Sequence, residues 1–294
     1  MVGPTAPSPD DAESAESAES PGGVNPAETD AAGAGRADTA DSTRGLDQDA
    51  PGAAAGLLPA QRERRARTLG RRAALTSGVA AVLAAVLLGA VIMIREGGVP
   101  FEVDEEWAEE VLTLRGPFGD TVALFMNWLG GGIVGVFVIP VGVAVVLLIM
   151  RRPWGALYFI VASAASAGVV QLLKEWFGRA RPEDMLVTSD FGSFPSGHVA
   201  NAATISVAIG VIVPIVGVWI AGAAYTLLMA LTRTYLGAHW FSDTVGGLLV
   251  GAGVALVLWA AFAVPLERER LTWIARVSER NAARAQAHIT PPER

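Results

Sequence analysis

The stretch that decides the fold is Ala73–Ile94, AALTSGVAAVLAAVLLGAVIMI, which contains no charged residue. As an α-helix these 22 residues are roughly 33 Å long, enough to cross a hydrocarbon core of about 30 Å. The run begins too far from Met1 for a secretory signal peptide, so it is predicted to stay in the membrane as an uncleaved anchor.

Four further uncharged runs follow, at 121–150, 153–173, 199–232 and 244–266. The first contains Gly130-Gly131-Gly132, so its span is predicted at 131–150, with 121–129 as an interfacial lead-in. The third would be roughly 51 Å long as one helix, and Pro214 divides it. The sequence therefore predicts an all-α polytopic membrane protein, a bundle of six transmembrane helices at 73–94, 131–150, 153–173, 198–213, 215–232 and 243–265.

Composition separates a polar tail from this membrane domain. The 294 residues are 52% hydrophobic and carry a formal net charge of -7, but 1–60 alone holds eleven acids and two bases. That segment therefore carries -9 and the remainder +2. It has no aromatic residue and repeats AESAESAES, a composition that cannot bury enough apolar surface to offset the entropy of ordering. We predict a disordered acidic tail at 1–60, a basic juxtamembrane segment at 61–72, a membrane domain at 73–265 and a cytoplasmic tail at 266–294.

The charges that flank the spans predict the orientation in the cell membrane. A block of six arginines at 61–72 directly precedes the first span, and arginines also follow the second and sixth, which places these flanks in the cytoplasm by the positive-inside rule. The segment after the first span is acidic, with Glu102, Asp104, Glu105, Glu106, Glu109 and Glu110. Both termini are therefore predicted to be cytoplasmic, and loops 174–197 and 233–242 to lie on the extracytoplasmic side.

The first cluster of polar residues on that side is KEWFGRARP at 174–182. Basic residues at the end of a span often extend to the interface without any further role. Lys174, however, is the only lysine among 22 basic residues, and an arginine would serve an interfacial role equally well. Its placement indicates that this position requires a compact ammonium group, which arginine does not provide. Arg181 follows seven residues later, and Arg179 is left as an auxiliary contact or a surface charge.

The second cluster, FPSGH at 194–198, opens the fourth span. Proline followed by serine is typical of a helix start, with Ser196 as the N-cap. A helix N-terminus with Gly197 for close approach is suited to bind an anion. His198 follows it, either as a capping histidine or as part of a site.

The third cluster, TRTYLGAHWFSD at 232–243, contains Arg233, His239 and Asp243. The i, i+4 spacing of His239 and Asp243 would place both side chains on one face of a helix. A carboxylate on one ring nitrogen makes the other a nucleophile or a general base, although an interfacial His–Asp pair is the alternative. Polar groups at such positions in a membrane protein are a functional-site hypothesis by default.

Together the three clusters resemble the signature of the type 2 phosphatidic acid phosphatase (lipid phosphate phosphatase) superfamily. The matching elements are Lys174-x6-Arg181-Pro182, Pro195-Ser196-Gly197-His198 and Arg233-x5-His239-x3-Asp243, and the resemblance covers roughly 70–265. The third motif usually begins Ser-Arg, whereas this chain has Thr232, which keeps the hydroxyl.

The resemblance implies a phosphatase that works through a phosphohistidine. His239 would attack phosphorus, Asp243 would orient it and His198 would protonate the leaving oxygen. The phosphoryl oxygens would be bound by Lys174, Arg181, Ser196, Gly197 and Arg233. Such charge neutralisation with in-line groups is also what phosphoryl transfer requires.

The resemblance also bears on partners and cofactors. No metal, other cofactor or nucleic-acid partner is expected, and the substrate would be a lipid phosphate or pyrophosphate such as undecaprenyl diphosphate, phosphatidic acid or phosphatidylglycerol phosphate. Cysteine is absent from the sequence, which excludes thiol catalysis and zinc–thiolate sites. A phosphotransferase of the same fold and a non-catalytic lipid-phosphate binding or transport protein remain alternatives.

Overall fold

The computed structural model describes residues 59–95, 99–189 and 191–289. Within these ranges all regular secondary structure is helical. The helices are α1 (Pro59–Ile94), α2 (Glu102–Thr113), α3 (Pro117–Gly130), a π-helix (Val134–Val138), α4 (Ile139–Ile149), α5 (Pro153–Phe177), α6 (Gly197–Ile212), α7 (Val216–Tyr235) and α8 (Phe241–Ile289). The predicted acidic tail, apart from its last two residues, lies outside the described residues.

Four helices are long and apolar enough to cross a membrane, within α1, α5, α7 and α8. A fifth crossing is formed if α3 and the π-helix with α4, which meet at a bend of 49°, count as one span. The remaining apolar helix, α6, is shorter, at 16 residues. The all-helical polytopic architecture is thus confirmed, while a count of six spans depends on α6.

The centre of the bundle is α6, which packs against α5, α7 and α8, while α1 lies along α8. Large apolar side chains such as Leu83, Leu87 and Ile149 point outward and are more than half exposed. An outward-facing apolar surface suits lipid, so close helix packing rests on small residues instead. At Gly78 of α1, a Cβ atom would lie 2.7 Å from the Gly253 carbonyl oxygen of α8. These two helices can approach so closely only without side chains there.

Several helices differ in extent from the predicted spans. The basic segment at 61–72 is helical and continuous with α1, and the acidic segment after α1 forms α2. The predicted interfacial lead-in belongs to α3. Pro140 explains the π-helix before α4, because its ring clashes with the carbonyl four residues earlier and widens that turn. Pro265 lies inside α8, which continues to Ile289.

The helix ends create two distinct ends of the bundle. At one, called the site end below, α5 and α7 end and α6 and α8 begin, and the backbone N–H of Ser196 donates to the Asp243 carbonyl at 3.0 Å. At the other, called the opposite end, Arg152 donates to the Ile212 carbonyl at 2.9 Å. The three predicted clusters all lie at the site end.

Candidate active site

A cavity of about 950 Å³ opens at the site end, between the ends of α3, α5, α6 and α7. One part of its wall is polar and includes Lys174, Arg181, Gly197, His198, Arg233 and His239. Another part is apolar and runs along the π-helix, α4 and α5, with Val136, Phe137, Val141, Ile160 and Ala164. Six of the eight predicted site residues therefore line one cavity. Its charged residues, among the described ones, are all basic.

Three cationic side chains approach the polar wall from different elements. Lys174 and Arg233 occupy the last turns of α5 and α7, where the helix dipole favours positive charge, and both are buried. Arg181 lies in the loop after α5. The Gly192 carbonyl accepts hydrogen bonds from Lys174 Nζ at 3.2 Å and from Arg181 Nη2 at 2.9 Å. One backbone oxygen therefore fixes two of the three cations.

His239 lies between α7 and α8, next to Arg181. Its Nδ1 is 3.6 Å from Asp243 Oδ2, and its Nε2 is 3.4 Å from Arg181 Nη1. Burial lowers the pKa of His239 well below its usual value, and the nearby charges of Arg233, Arg181 and Lys174 lower it further. The imidazole is therefore neutral at neutral pH, with a ring nitrogen that can act as a nucleophile.

Asp243 is fully buried in the first turn of α8. Its Oδ2 accepts the backbone N–H of Trp240 at 2.9 Å, which is one half of a capping box. Because α8 begins at Phe241, His239 precedes the helix and does not share a helical face with Asp243 as expected. The loop that enters α8 brings the pair together instead.

His198 lies in the first turn of α6, beneath the break between α3 and the π-helix. Its Nε2 is 3.1 Å from the Asn127 carbonyl oxygen. A Cβ atom on Gly131 would lie 2.2 Å from the same nitrogen, so only glycine leaves room for the imidazole. Asn127 also accepts a hydrogen bond from Arg233 through its side chain, and thus links two predicted site residues.

Ser196 occupies the predicted N-cap position of α6, but its side chain makes no capping hydrogen bond. The residue is fully buried, and within the described part of the chain its Oγ has no hydrogen-bond partner. A buried hydroxyl without a partner is costly, so this oxygen is poised for a ligand. Asp243 and Ser196 are the two predicted residues that lie behind the cavity wall.

Sequence reasoning did not identify two buried charged residues at the site. Arg179 is 2% exposed, which excludes the surface-charge alternative, and it bonds Asp243 Oδ1 at 2.6 Å and Asp104 Oδ2 at 2.7 Å. Asp104 is fully buried, whereas the other five acids of its segment are exposed. Nothing in the local sequence separates it from them. Arg179 could have been identified from the sequence, since it lies within the first cluster.

The sequence that contains all eight predicted site residues also matches a family profile. Residues 155–265 match the profile of the PAP2 superfamily.

This part of the chain is a PAP2 superfamily domain.

Similar proteins agree with this assignment. Phosphatidylglycerophosphatase B of Bacillus subtilis is 28% identical over 160 residues, which are 50% of this chain and 77% of that protein. A lipid A 1-phosphatase of Rhizobium johnstonii is 31% identical over 121 residues, 37% of this chain and 49% of that protein. The expected family is thus confirmed, and with it the class of enzyme, a lipid phosphatase.

A solved structure shares the fold. The crystal structure of a transmembrane PAP2-type phosphatidylglycerolphosphate phosphatase from Bacillus subtilis aligns with a TM-score of 0.55 at 26% identity. The alignment covers 62% of this chain and 94% of that chain. Together with the apolar helices, it supports a multi-pass membrane protein.

Proposed function

We propose that this PAP2 protein removes phosphate from a lipid phosphate or lipid pyrophosphate through a phosphohistidine. The observation that carries the proposal is the single cavity that joins three cations and two histidines to an apolar wall. The cations match a phosphate, and the apolar wall between α4 and α5 matches a hydrocarbon chain. A water-soluble phosphate ester would gain nothing from that second wall.

His239 is proposed as the nucleophile, through Nε2. Its Nδ1 faces Asp243, which leaves Nε2 on the side of Arg181 and the other cations. Nε2 would attack phosphorus while the bond from phosphorus to the lipid oxygen breaks. Water would then attack the phosphohistidine, release inorganic phosphate and regenerate the imidazole.

His198 is proposed as the general acid that protonates the leaving lipid oxygen. It lines the same cavity as His239 but enters from α6. The charge on the phosphoryl oxygens would be neutralised by Lys174, Arg181 and Arg233, with the hydroxyl of Ser196 and the backbone N–H of Gly197 at the start of α6 as further donors. The cations are already fixed by hydrogen bonds, so little reorganisation is needed when the substrate binds.

We further propose six crossings, with both termini in the cytoplasm and the site on the extracytoplasmic side. As a sixth crossing, α6 would span only about 24 Å, yet it is the best buried helix and is flanked by full spans. Arginines cluster at the opposite end, including Arg151, Arg152, Arg268 and Arg270, whereas acidic α2 lies at the site end. This distribution agrees with the positive-inside rule.

The proposed domain limits follow the same division. The acidic tail at 1–60 and the basic segment at 61–72 precede the membrane phosphatase domain at 73–265, and 266–294 is cytoplasmic. Among substrates, the relatives are named for phosphatidylglycerophosphate and lipid A, so a glycerolipid phosphate, lipid A and a prenyl diphosphate form the first panel.

The test is a phosphate-release assay in detergent with excess EDTA. Purified protein is given phosphatidylglycerol phosphate, phosphatidic acid, undecaprenyl diphosphate, lipid A and a water-soluble phosphomonoester. We expect release from at least one lipid, with a kcat/KM far above that of the soluble ester. Release that requires added magnesium, or equal activity on the soluble ester, contradicts the proposal.

The matched variants are His239→Ala and His288→Ala. The first should reduce kcat by at least about 10³-fold, because it removes the nucleophile. His288 lies outside the three clusters, and its variant controls for the loss of a histidine. Phosphate recovered on an added alcohol instead of water would identify a phosphotransferase, and lipid binding without turnover would identify a binding protein.

A further inference from the structure

A buried ionic cluster lies directly behind His239. It consists of Asp104, Arg179, Ser242 and Asp243, all between 0% and 6% exposed, which come from α2, the loop after α5 and the first turn of α8. Buried charges are tolerated only when they are paired and hydrogen-bonded. Each of these side chains has at least one short polar contact to another, so the cluster is a built feature and not an accident of packing.

Arg179 is the bridge of the cluster. Its Nη1 bonds Asp243 Oδ1 at 2.6 Å and Ser242 Oγ at 2.8 Å, and its Nη2 bonds Asp104 Oδ2 at 2.7 Å. A planar guanidinium is the only side chain that can serve both carboxylates at once in this way. The two oxygens of Asp243 therefore have separate tasks, since Oδ1 is bound by Arg179 and Oδ2 faces His239.

Asp104 anchors this bridge from the other side. Its Oδ1 accepts the backbone N–H of Ser242 at 2.8 Å, and its Oδ2 accepts the Ser242 hydroxyl at 2.7 Å. Trp107, one turn later on α2, packs against Phe241 with ring centroids 5.9 Å apart. The acidic helix α2 is thus fixed to the first turn of α8, the turn that carries Asp243.

Charge gives Asp104 a second effect. Without Asp104, the charge of Arg179 would neutralise that of Asp243. The electrostatic field at His239 would then come from the positive charges of Lys174, Arg181 and Arg233. With Asp104 the buried cluster carries one net negative charge. That charge lets Asp243 stabilise the positive charge that develops on His239 as its imidazole is phosphorylated.

We propose that Asp104 is a positioning residue for the proposed phosphoryl transfer, acting through Arg179 and Ser242 to hold the Asp243 carboxylate against His239. Asp104 does not line the cavity and touches no substrate in this scheme. Its loss should therefore slow the chemical step and leave phosphate binding by the three cations intact. Loss of a residue that merely holds α2 in place would change neither the rate of the chemical step nor phosphate binding. Loss of a residue that holds the whole site together would change both.

The experiment measures kcat, KM and the inhibition constant of inorganic phosphate for Asp104→Asn, Asp243→Asn and the double variant, in EDTA. The control is Asp120→Asn, because Asp120 is another carboxylate at the site end, half-buried where Asp104 is fully buried, and accepts the Tyr235 hydroxyl at 2.9 Å. Wild-type turnover and its loss in His239→Ala are established first. Their failure would overturn the proposed function and is thereby separate from any result on Asp104.

We expect Asp104→Asn to lower kcat about 10- to 100-fold, with the phosphate inhibition constant within about threefold of wild type. Asp120→Asn should keep kcat within about twofold. The double variant should be about as slow as Asp243→Asn alone, because Asp104 acts through Asp243.

Three results would overturn the proposal: wild-type kcat in Asp104→Asn, a phosphate inhibition constant that rises in step with the loss of kcat, or multiplicative losses in the double variant. If Asp104→Asn does not fold, Ser242→Ala replaces it, since this variant removes the hydroxyl that Asp104 and Arg179 share. It should lower kcat about 3- to 10-fold with unchanged phosphate inhibition, and wild-type kcat in this variant is also contradictory.

Discussion

The two ends of the bundle each contain a buried arginine with a carboxylate partner, and they differ in what surrounds it. At the opposite end, Arg152 lies 3.5 Å from Glu269, whose carboxylate also accepts the backbone N–H groups of Trp154 and Gly155 at 2.7 and 3.0 Å. This pair is balanced in charge and caps the start of α5. Its evident role is to join α5 to α8.

At the site end, Arg179 serves two carboxylates with shorter bonds, and a group of cations lies beyond His239. Positive and negative charges are here kept on opposite sides of one imidazole. The comparison teaches that a buried ion pair alone does not mark a functional site. A functional site is marked instead by opposite charges held on two sides of a side chain that can react. Such a separation of charge lowers stability and is useful only when a charged substrate binds.

The largest effect that would sharpen this comparison is expected at Gly131. In Gly131→Ala the new Cβ would lie 2.2 Å from His198 Nε2, so the imidazole or the helix break must move. We expect kcat to fall about 100-fold, as a displacement near 1 Å of a reacting group does. Gly142→Ala in α4 is the control, because its Cβ would meet open space and kcat should not change. Equal activity of the two variants would place His198 outside the chemistry.

The arginines of the two ends can be compared directly by replacing each with lysine. Arg179→Lys keeps the charge but loses the fork that serves Asp104 and Asp243 together, so kcat should fall about 10- to 30-fold. Arg152→Lys should stay within about twofold of wild type in kcat, and both variants are compared in thermal stability. A similar loss of kcat at both ends would break the distinction between a structural pair and a positioning pair.

The smallest effect is a pH dependence of stability that arises at the site end. The pKa of His239 is lowered in the folded state, so below about pH 6.5 the unfolded chain binds a proton that the folded protein does not. Unfolding should therefore become easier as the pH falls, by up to about 1.4 kcal/mol for each pH unit below that value.

The measurement is the melting temperature of wild type and His239→Gln in detergent between pH 7.5 and 5.5. The wild type should lose a few degrees more than the variant over this range, because the variant has no group to titrate at this position. Parallel curves would show that the pKa of His239 is not depressed.

Much of the fold could be predicted because the membrane imposes strong rules on sequence. Long uncharged runs located the start or end of most helices to within a few residues, as at Ile94 and Pro153. The three clusters could be grouped on one side, because the number of crossings between them fixes the side of each loop. The same rules gave no information on α2 or on the π-helix, which are decided by local packing and by Pro140.

By itself the sequence determined the membrane class, the family resemblance and six of the residues that line the cavity, since motif spacing and hydropathy are properties of the chain alone. Only the tertiary structure decided which of six neighbouring acids is buried, that Arg179 joins it to Asp243, and that Gly131 makes room for His198. These features depend on contacts between segments 64 to 138 residues apart, such as Asp104 with Arg179 and Ser242 and Arg179 with Asp243, and no local pattern encodes such distances.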